Sequence, residues 1–275
     1  MNLSISEQLT YSTIRIECVD LNGNHSTGTG YFFKFKMNKE TNEHVPVLIT
    51  NKHVIENAKN GKLIFTQATE EYKPLDTKHY PVTIDDFESK WLKHPDKSVD
   101  LCALPIGPIL NQLQELKIKL FYIPLDIGLL PTEEQMNNLS ALEEVIMIGY
   151  PNGIWDQYNN KPILRKGVTA THPVLDYNGK KEFLIDMACF PGSSGSPVFI
   201  FNEGGYRDKK GNHFMGQSRI LLLGTLYAGP QHTATGEIKV INISTSTKPI
   251  SVSKIPNNLG LVIKHSRILE LEKLF

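Results

Sequence analysis

The sequence predicts an all-β fold built from antiparallel barrels or sandwiches. Many short segments are either continuously apolar or alternate between apolar and polar residues, as buried and half-buried strands do. Turn residues separate them, since the chain holds 20 Gly and 16 Pro. Helical spacing of apolar residues is confined to a few stretches outside these segments. Many short strands with turns between them are typical of barrels and sandwiches.

The predicted strands fall into two groups on either side of a middle region. The first group comprises residues 12–19, 30–37, 45–51, 62–68, 80–84 and 99–106. The second group comprises residues 144–150, 163–170, 182–189, 196–202, 219–229 and 259–265. We therefore expect two β units, residues 1–120 and residues 121–275.

Helices are predicted at three places. ILNQLQELKI and TEEQMNNLSALEE have helical spacing and lie in the connection at 107–143, where Thr132 and Gln135 resemble a capping box. SRILELEKLF predicts a short amphipathic C-terminal helix docked on the second unit. The polar stretch at 202–219 predicts a long surface hairpin loop.

The composition argues against several kinds of partner. Lys plus Arg number 29 and Asp plus Glu also 29, so the formal net charge is zero and no basic block stands out. We therefore expect neither nucleic acid nor a membrane as a partner. The nine histidines are scattered, and no pair has ligand spacing with a nearby Cys or acid, so we expect no metal and no cofactor.

Cysteine content and the first residues suggest a location. The start, MNLSISEQLTYSTIRIECVD, lacks the basic and then apolar pattern of a signal peptide, and no run approaches the ~20 apolar residues of a membrane span. The three cysteines are far apart and odd in number, unlike a disulfide framework. These features predict a cytoplasmic protein with reduced thiols.

The stretch FPGSSGSPVF at 190–199 has two interpretations. It suits a plain loop, because Gly, Ser and Pro are ordinary turn residues. It also suits the seat of a nucleophile, because two glycines let backbone N–H groups converge beside a serine hydroxyl. A serine nucleophile needs an imidazole base, and the imidazole needs an orienting carboxylate.

Candidates for the base and the acid lie upstream. His53 follows an apolar strand in LITNKHVI, and Asp100 begins the strand in SVDLCALPI. Each residue alone has an ordinary interpretation, His53 as a structural histidine and Asp100 as a turn or cap residue. The chain order His, Asp, Ser is nevertheless one of the few that this chemistry uses.

TNKHV, DLCALPI and DMACFPGSSGSP together resemble the three motifs of the chymotrypsin-like or trypsin-like serine peptidases. Within that family they look most like the bacterial HtrA-type protease domain, without its PDZ modules. GTGYFF, IGYPNG and RKGVTA also match in order, and the three blocks are spaced by 47 and 94 residues. The resemblance covers roughly residues 10 to 265 and implies two antiparallel six-stranded β-barrels with a cleft between them.

The resemblance also implies roles for individual residues. Ser194 would be the nucleophile, His53 the general base and then acid, and Asp100 its orienting partner. The backbone N–H groups of Gly192 and Ser194 would form the oxyanion hole. His53 and Asp100 would belong to the first barrel and Ser194 to the second.

A primary specificity pocket follows from the same alignment. Ala188 would lie at its floor, Cys189 in one wall, and Leu226, Tyr227, Ala228 and Gly229 in the facing wall. Because Ala188 carries no charge, we expect cleavage after uncharged, small-to-medium residues. His232 or Glu237 in the following loop could alter this preference.

The chain departs from the family pattern at two points. Secreted relatives pair a new N-terminus with an Asp before the nucleophile, but that position is Ser193 here, so we expect no proteolytic activation. No PDZ module follows the protease region in this sequence, so we expect control by loops or by a regulatory partner. The resulting hypothesis is a selective, partner-regulated cytoplasmic serine endopeptidase acting on protein or peptide substrates.

Alternative functions remain open at this stage. A catalytically silent scaffold of the same fold would bind peptides in the cleft without cleaving them. An esterase would use the same triad, but the G-x-S-x-G and βαβ pattern of the α/β-hydrolases is absent from the sequence. A role in a bacterial stress or phage-defence system is a guess from the domain organisation.

Overall fold

A computed structural model describes residues 3–38, 40–41, 43–229, 231–235, 252–256 and 258–275. The strands that form the first sheet are β1 (Thr13–Asp20), β2 (His25–Phe35), β3 (Val45–Thr50), β4 (Ala58–Ala68), β5 (Pro74–Asp85), β6 (Leu92–Lys93), β7 (Cys102–Pro105) and β8 (Leu120–Phe121). The strands that follow are β9 (Glu144–Gly149), β10 (Ile163–Thr169), β11 (Glu182–Asp186), β12 (Pro197–Asn202), β13 (Gly205–Arg207), β14 (His213–Met215), β15 (Arg219–Ala228), β16 (Gln231–Thr235), β17 (Val252–Pro256) and β18 (Leu259–Lys264). The helices are α1 (Ile5–Thr10), α2 (Lys52–Ile55), α3 (Gly107–Glu115), α4 (Glu133–Asn137) and α5 (His265–Leu271).

The second half of the chain forms a closed antiparallel barrel. Its six strands follow each other in the order β10, β11, β18, β15, β12 and β9. Antiparallel pairing of β9 with both β10 and β12 closes the circle. The prediction of a six-stranded barrel is confirmed for this unit.

The first half differs from the prediction of a second six-stranded barrel. Its strands form an eight-stranded sheet in the order β5, β4, β1, β2, β3, β7 and β6, with β8 paired to β4, and the path does not close among the described residues. The edge strand β6 holds only two residues, because Phe87–Lys90 immediately before it is coiled into a 3₁₀ helix. A strand this short has too few backbone N–H and C=O groups to pair with β5 as well as with β7, which would close the sheet.

Side chains cap the first N–H groups of two helices, α1 and α4. The predicted capping box at Thr132 and Gln135 is confirmed at the start of α4. An equivalent box of Ser4 and Glu7 starts α1, which the sequence analysis did not predict. The stretch at 202–219 is confirmed as a hairpin, formed by β13 and β14. Among the described residues, no helix is both long and apolar enough to cross a membrane.

The two sheets share one apolar core, into which α5 also packs. Tyr31, Phe33 and Ile49 of the first sheet lie in the same buried cluster as Ile148 and Phe199 of the barrel. Ile268 and Leu271 of α5 complete the cluster and are fully buried. This shared core fixes the two sheets against each other, so residues at the seam keep a constant separation.

Candidate active site

Two hydrogen bonds join His53 and Asp100 beside the paired ends of β3 and β7 in the first sheet. β3 ends at Thr50, and the short helix α2 that follows presents His53 in its first turn. His53 Nδ1 lies 2.5 Å from Asp100 Oδ2, and the backbone N–H of His53 donates to Asp100 Oδ1 at 3.1 Å. The side-chain amide of Asn51 donates to the Asp100 carbonyl oxygen at 2.7 Å. Both carboxylate oxygens of Asp100 are therefore engaged by one histidine.

This contact selects one tautomer of the imidazole ring. A carboxylate can only accept a hydrogen bond, so Nδ1 is the donor and carries the proton. In the neutral ring, Nε2 then has a free lone pair. The His53 side chain is 43% exposed, whereas that of Asp100 is 24% exposed. An imidazole held in this way can accept a proton from a group in the cleft and return it.

Two glycines shape the turn that carries Ser194. Gly192 has φ of 85° and Gly195 has φ of 86°, a region that favours glycine. A β-carbon on Gly192 would collide with the Tyr150 carbonyl oxygen, and one on Gly195 would collide with the backbone of Thr29. Ser194 is thus held between two positions that only glycine fits.

The backbone N–H groups of Gly192 and Ser194 have no acceptor among the described residues. Their neighbours are satisfied, because Ser193 N–H donates to the Phe190 carbonyl and Gly195 N–H to the Leu226 carbonyl. Unpaired amides are rare in folded proteins unless they face solvent or a ligand. Two such donors on either side of Ser193 can bind the oxygen of a tetrahedral intermediate.

Every carbonyl of the same turn is bound within the protein. The Pro191 oxygen accepts from Asn152 N–H at 2.5 Å, and the Ser193 oxygen accepts from Ser196 N–H at 3.0 Å. The Gly192 oxygen accepts from the Thr29 hydroxyl at 2.9 Å, and the Ser194 oxygen accepts from Thr29 N–H at 2.9 Å. In a trans peptide the N–H points away from the C=O, so anchoring the Pro191 and Ser193 carbonyls directs the two free amides outward.

Contacts with β2 and β3 bring the Ser194 turn close to His53. Thr29 on β2 binds the Ser194 carbonyl, and the Thr50 hydroxyl donates to the Thr29 carbonyl at 2.6 Å. Gly195 packs directly on this Thr50 hydroxyl. Thr50 precedes His53 by three residues, so the turn meets the first sheet beside the candidate base.

The Ser194 hydroxyl donates to the Tyr227 carbonyl oxygen at 3.4 Å and makes no hydrogen bond to His53 among the described contacts. Catalytic hydrogen bonds are often long or absent in ligand-free structures and form in the substrate complex. A rotation about the Cα–Cβ bond of Ser194 changes the direction of the hydroxyl without moving the turn.

The residues predicted to form the primary pocket lie together at the end of the barrel. Ala188 is half-buried and Cys189 is buried. A β-carbon on Gly229 would lie 3.4 Å from Cys189 Cβ, so the two predicted walls approach each other closely. Leu226 is buried in the barrel core, so its side chain supports the wall from behind.

Gly260 on β18 lies beside Cys189 and Leu226, although its role was not predicted from the sequence. A β-carbon there would press on Cys189 Sγ and on the Leu226 side chain. Its signal was present in the sequence, since a lone Gly within a strand often marks the close approach of another group. Glu237, which could alter the pocket, lies outside the described residues, as does the side chain of His232.

Arg165 and Glu182 carry charges near these residues. The guanidinium of Arg165 lies 5.0 Å from the centre of the Phe190 ring, and its Nε is buried without a partner among the described residues. The Tyr227 hydroxyl donates to Glu182 Oε2 at 2.9 Å. Burial, and then this bond to Glu182, raises the pKa of Tyr227, which therefore stays protonated.

All three cysteines are free and buried. Burial raises the pKa of the Cys189 thiol to about 11 despite the nearby positive charge of Arg165. Burial also raises the pKa of Cys18 to about 12 and that of Cys102 well above its usual range. The thiols are thus protonated at neutral pH and are poor nucleophiles. Among the described residues, no group of three or more His, Cys, Asp or Glu side chains is arranged to hold a metal ion.

Comparisons with known proteins identify the family. Residues 28–205, more than half of the chain, match the trypsin-like peptidase domain. This match includes His53, Asp100 and Ser194. The chain therefore belongs to the trypsin-like peptidase family. Its fold is the all-β, chymotrypsin-like one, with a closed six-stranded barrel and a short C-terminal helix.

Several solved structures are similar to this chain. The HtrA-type protease AlgW with a tripeptide shares 15% identity at a TM-score of 0.47, over 96% of this chain and 60% of AlgW. The Rv3671c protease from M. tuberculosis, in its active form, shares 14% identity at a TM-score of 0.45, over 94% of this chain and 78% of that one. The serine endoprotease from Yersinia pestis shares 14% identity at a TM-score of 0.46, over 100% of this chain and 67% of that one. No curated protein sequence matches the chain.

Proposed function

We propose that this chain is a serine endopeptidase that cleaves peptide bonds through an acyl-enzyme. Ser194 is the nucleophile, His53 the general base and then acid, and Asp100 the residue that orients His53. The observation that carries the proposal is the free pair of amides at Gly192 and Ser194, in a turn that packs on Thr50 three residues before a histidine whose Nδ1 lies 2.5 Å from a carboxylate. A plain loop or a structural histidine does not require that combination.

The first step forms the acyl-enzyme. The Ser194 oxygen attacks the carbonyl carbon of the peptide bond while its proton passes to His53 Nε2. The carbonyl oxygen becomes negatively charged and accepts hydrogen bonds from the Gly192 and Ser194 amides. The C–N bond then breaks, and the leaving amine takes the proton from His53.

The second step releases the other product. A water molecule gives a proton to His53 and attacks the ester carbon, and the same two amides bind the oxygen that becomes negative again. The proton returns to Ser194 as the ester bond breaks. Asp100 stabilises the charged imidazole in both steps.

We propose that the His and Asp belong to a first unit, residues 1–120, and the nucleophile to a second, residues 121–275. We also propose that the enzyme is selective, regulated by a partner protein and cytoplasmic. Support for the last point is that all three cysteines are free, as is usual in a reducing compartment. Regulation by a partner would require release of the hydrogen bonds that hold the peptide planes of Gly192, because a glycine rotates readily once they are lost.

Hydrolysis of an unstructured protein and of a randomised peptide library tests the proposal. The purified wild type should cleave both, and Ser194→Ala and His53→Ala should lower the rate by about 10³-fold or more. Ser89→Ala is the matched control, because its hydroxyl binds only the Asp86 carbonyl in a 3₁₀ turn of the first sheet. A folded wild type that binds peptides without cleaving them would instead support the silent scaffold.

A further inference from the structure

Thr29, a residue of the first sheet, makes three hydrogen bonds to the nucleophile turn and to Tyr150. It lies on β2 and is fully buried. Its hydroxyl donates to the Gly192 carbonyl at 2.9 Å and accepts from Tyr150 N–H at 3.1 Å. Its backbone N–H donates to the Ser194 carbonyl at 2.9 Å. A single residue therefore binds two carbonyls of the turn and the chain that leads out of β9.

The Thr29 hydroxyl controls both peptide planes that flank Gly192. The plane after Gly192 is held directly, because its carbonyl is the acceptor of the hydroxyl. The plane before it is held at the Pro191 carbonyl by Asn152 N–H. Asn152 lies two residues after Tyr150, whose own N–H is bound by the Thr29 hydroxyl. The Thr29 hydroxyl thus restrains the peptide planes on both sides of Gly192, a glycine that would otherwise rotate easily.

The chemistry of the position requires a hydroxyl. Gly192 O needs a donor and Tyr150 N–H needs an acceptor, and one hydroxyl supplies both. The Thr29 carbonyl is itself bound by the Thr50 hydroxyl at 2.6 Å, so the residue cannot shift along its strand. A valine of the same shape would leave a buried carbonyl and a buried amide without partners, which a buried site rarely tolerates.

We propose that Thr29 is a positioning residue for the oxyanion hole, and that its hydroxyl keeps the Gly192 amide directed toward the reacting carbonyl. This inference rests on the proposed function, because it assigns the Gly192 amide to the oxyanion hole. Thr29 does not touch the substrate. It acts through Gly192 and through the turn at Tyr150.

The test compares Thr29→Val and Thr29→Ser with the wild type. Valine removes the hydroxyl and keeps the shape, whereas serine keeps the hydroxyl and loses the methyl group. The readout is the second-order rate of inactivation by diisopropyl fluorophosphate, whose phosphoryl oxygen enters the oxyanion hole and which needs no peptide substrate. We expect Thr29→Val to react at least tenfold more slowly, since one oxyanion donor is worth about 10²–10³-fold. Thr29→Ser should stay within about threefold of the wild type.

Thr169→Val is the matched control. Thr169 is also buried, and its hydroxyl likewise donates to a carbonyl, that of Ala141, and accepts from an amide, that of Glu143. Its contacts lie at the start of the barrel and include no residue of the nucleophile turn. Both valine variants should lower the melting temperature, but only Thr29→Val should lower the inactivation rate.

The outcomes separate the two claims. Inactivation of Thr29→Val at the wild-type rate would overturn the role of Thr29 and leave the proposed function intact. A wild type that does not react would instead remove the proposed nucleophile. In that case, a crystal structure of Thr29→Val tests the positioning role, because this measurement does not require an active enzyme. An unchanged Pro191–Gly192–Ser193 backbone contradicts it, and a rotated one supports it.

Discussion

At the residue scale, the site depends on main-chain groups as much as on side chains. His53 and Asp100 are set by three hydrogen bonds, two between them and one from Asn51. Ser194 is set by the backbone of its turn, in which each carbonyl from Pro191 to Ser194 has a donor. The preorganised donors cost no rearrangement when negative charge develops, which is why such sites are effective.

The first prediction at this scale concerns the primary pocket. We expect cleavage after uncharged, small-to-medium residues and not after Lys or Arg. Ala188 offers no carboxylate, and the positive charge of Arg165 lies beside Phe190 and Cys189, where it repels a cationic side chain. Burying an unpaired charge costs several kcal/mol. Cleavage-site profiling with a randomised peptide library measures the preference.

The matched variant for this prediction is Ala188→Asp. A carboxylate at the pocket floor should raise the fraction of cuts after Lys and Arg without changing the triad. Ser194→Ala is the blank for contaminating proteases. A wild-type preference for Lys or Arg would show that the pocket is built differently from the alignment.

The sequence revealed the candidate site residues better than the residues that support them. His53, Asp100 and Ser194 are recognisable because they occur in motifs with specific flanking residues. Thr29 lies within a strand, where a buried threonine resembles any other strand residue. It binds Gly192 and Tyr150, which are more than 120 positions away, so no local pattern could have indicated its role.

At the element scale, α5 joins the barrel to the loop that carries Asp100. The predicted C-terminal helix is confirmed, and it also reaches the first sheet. Arg267 lies 3.5 Å from Asp96, and Glu270 lies 3.2 Å from the buried His94. Asp96 and His94 precede Asp100 by a few residues. The helix therefore stabilises the segment from which the candidate acid is presented.

A pH effect on stability follows from the first residue of α5. Burial, and then the charge of Lys264, lowers the pKa of His265 to about 4. The unfolded chain takes up a proton near pH 6.5, whereas the folded chain does so only near pH 4. The free energy of unfolding should therefore fall as the pH drops from about 6.5 to 4, by about 2 kcal/mol at pH 5 from this residue.

His265→Asn should remove that part of the pH dependence. Urea unfolding at pH 7 and pH 5 measures it, with the exposed His25→Asn as control. A residual slope is expected, because burial also lowers the pKa of His94. An identical pH dependence in His265→Asn and wild type would refute the assignment.

Most of the elements that the sequence missed are short, although the six-residue α1 was missed as well. β6 and β8 hold two residues each, too few to display the alternation that predicts a strand. The four-residue helix α2 was also missed, because it is shorter than the period that helical patterns need. The longer strands of both units were predicted, since alternation or apolar runs extend over most of their length.

At the scale of the whole molecule, the candidate site lies where the first sheet, which does not close among the described residues, meets the closed barrel. The open sheet was not expected, because closure depends on which edge strands pair, and strand patterns do not encode that. The buried cluster shared by the two sheets includes Tyr31 and Phe33 on one side and Phe199 on the other. The Tyr31 hydroxyl lies 2.8 Å from the Thr225 hydroxyl across this seam. The candidate site thus rests on a packed interface between the two sheets.

The central claim is that Ser194 is a nucleophile activated by His53, and covalent labelling tests it most directly. A biotinylated fluorophosphonate should modify the wild type at Ser194, as located by mass spectrometry of the digested protein. His53→Ala should react far more slowly, since an unassisted serine hydroxyl is a weak nucleophile, and Ser194→Ala should not be labelled. Ser89→Ala should be labelled like the wild type. Labelling that persists in Ser194→Ala, or a folded wild type that is never labelled, would contradict the account.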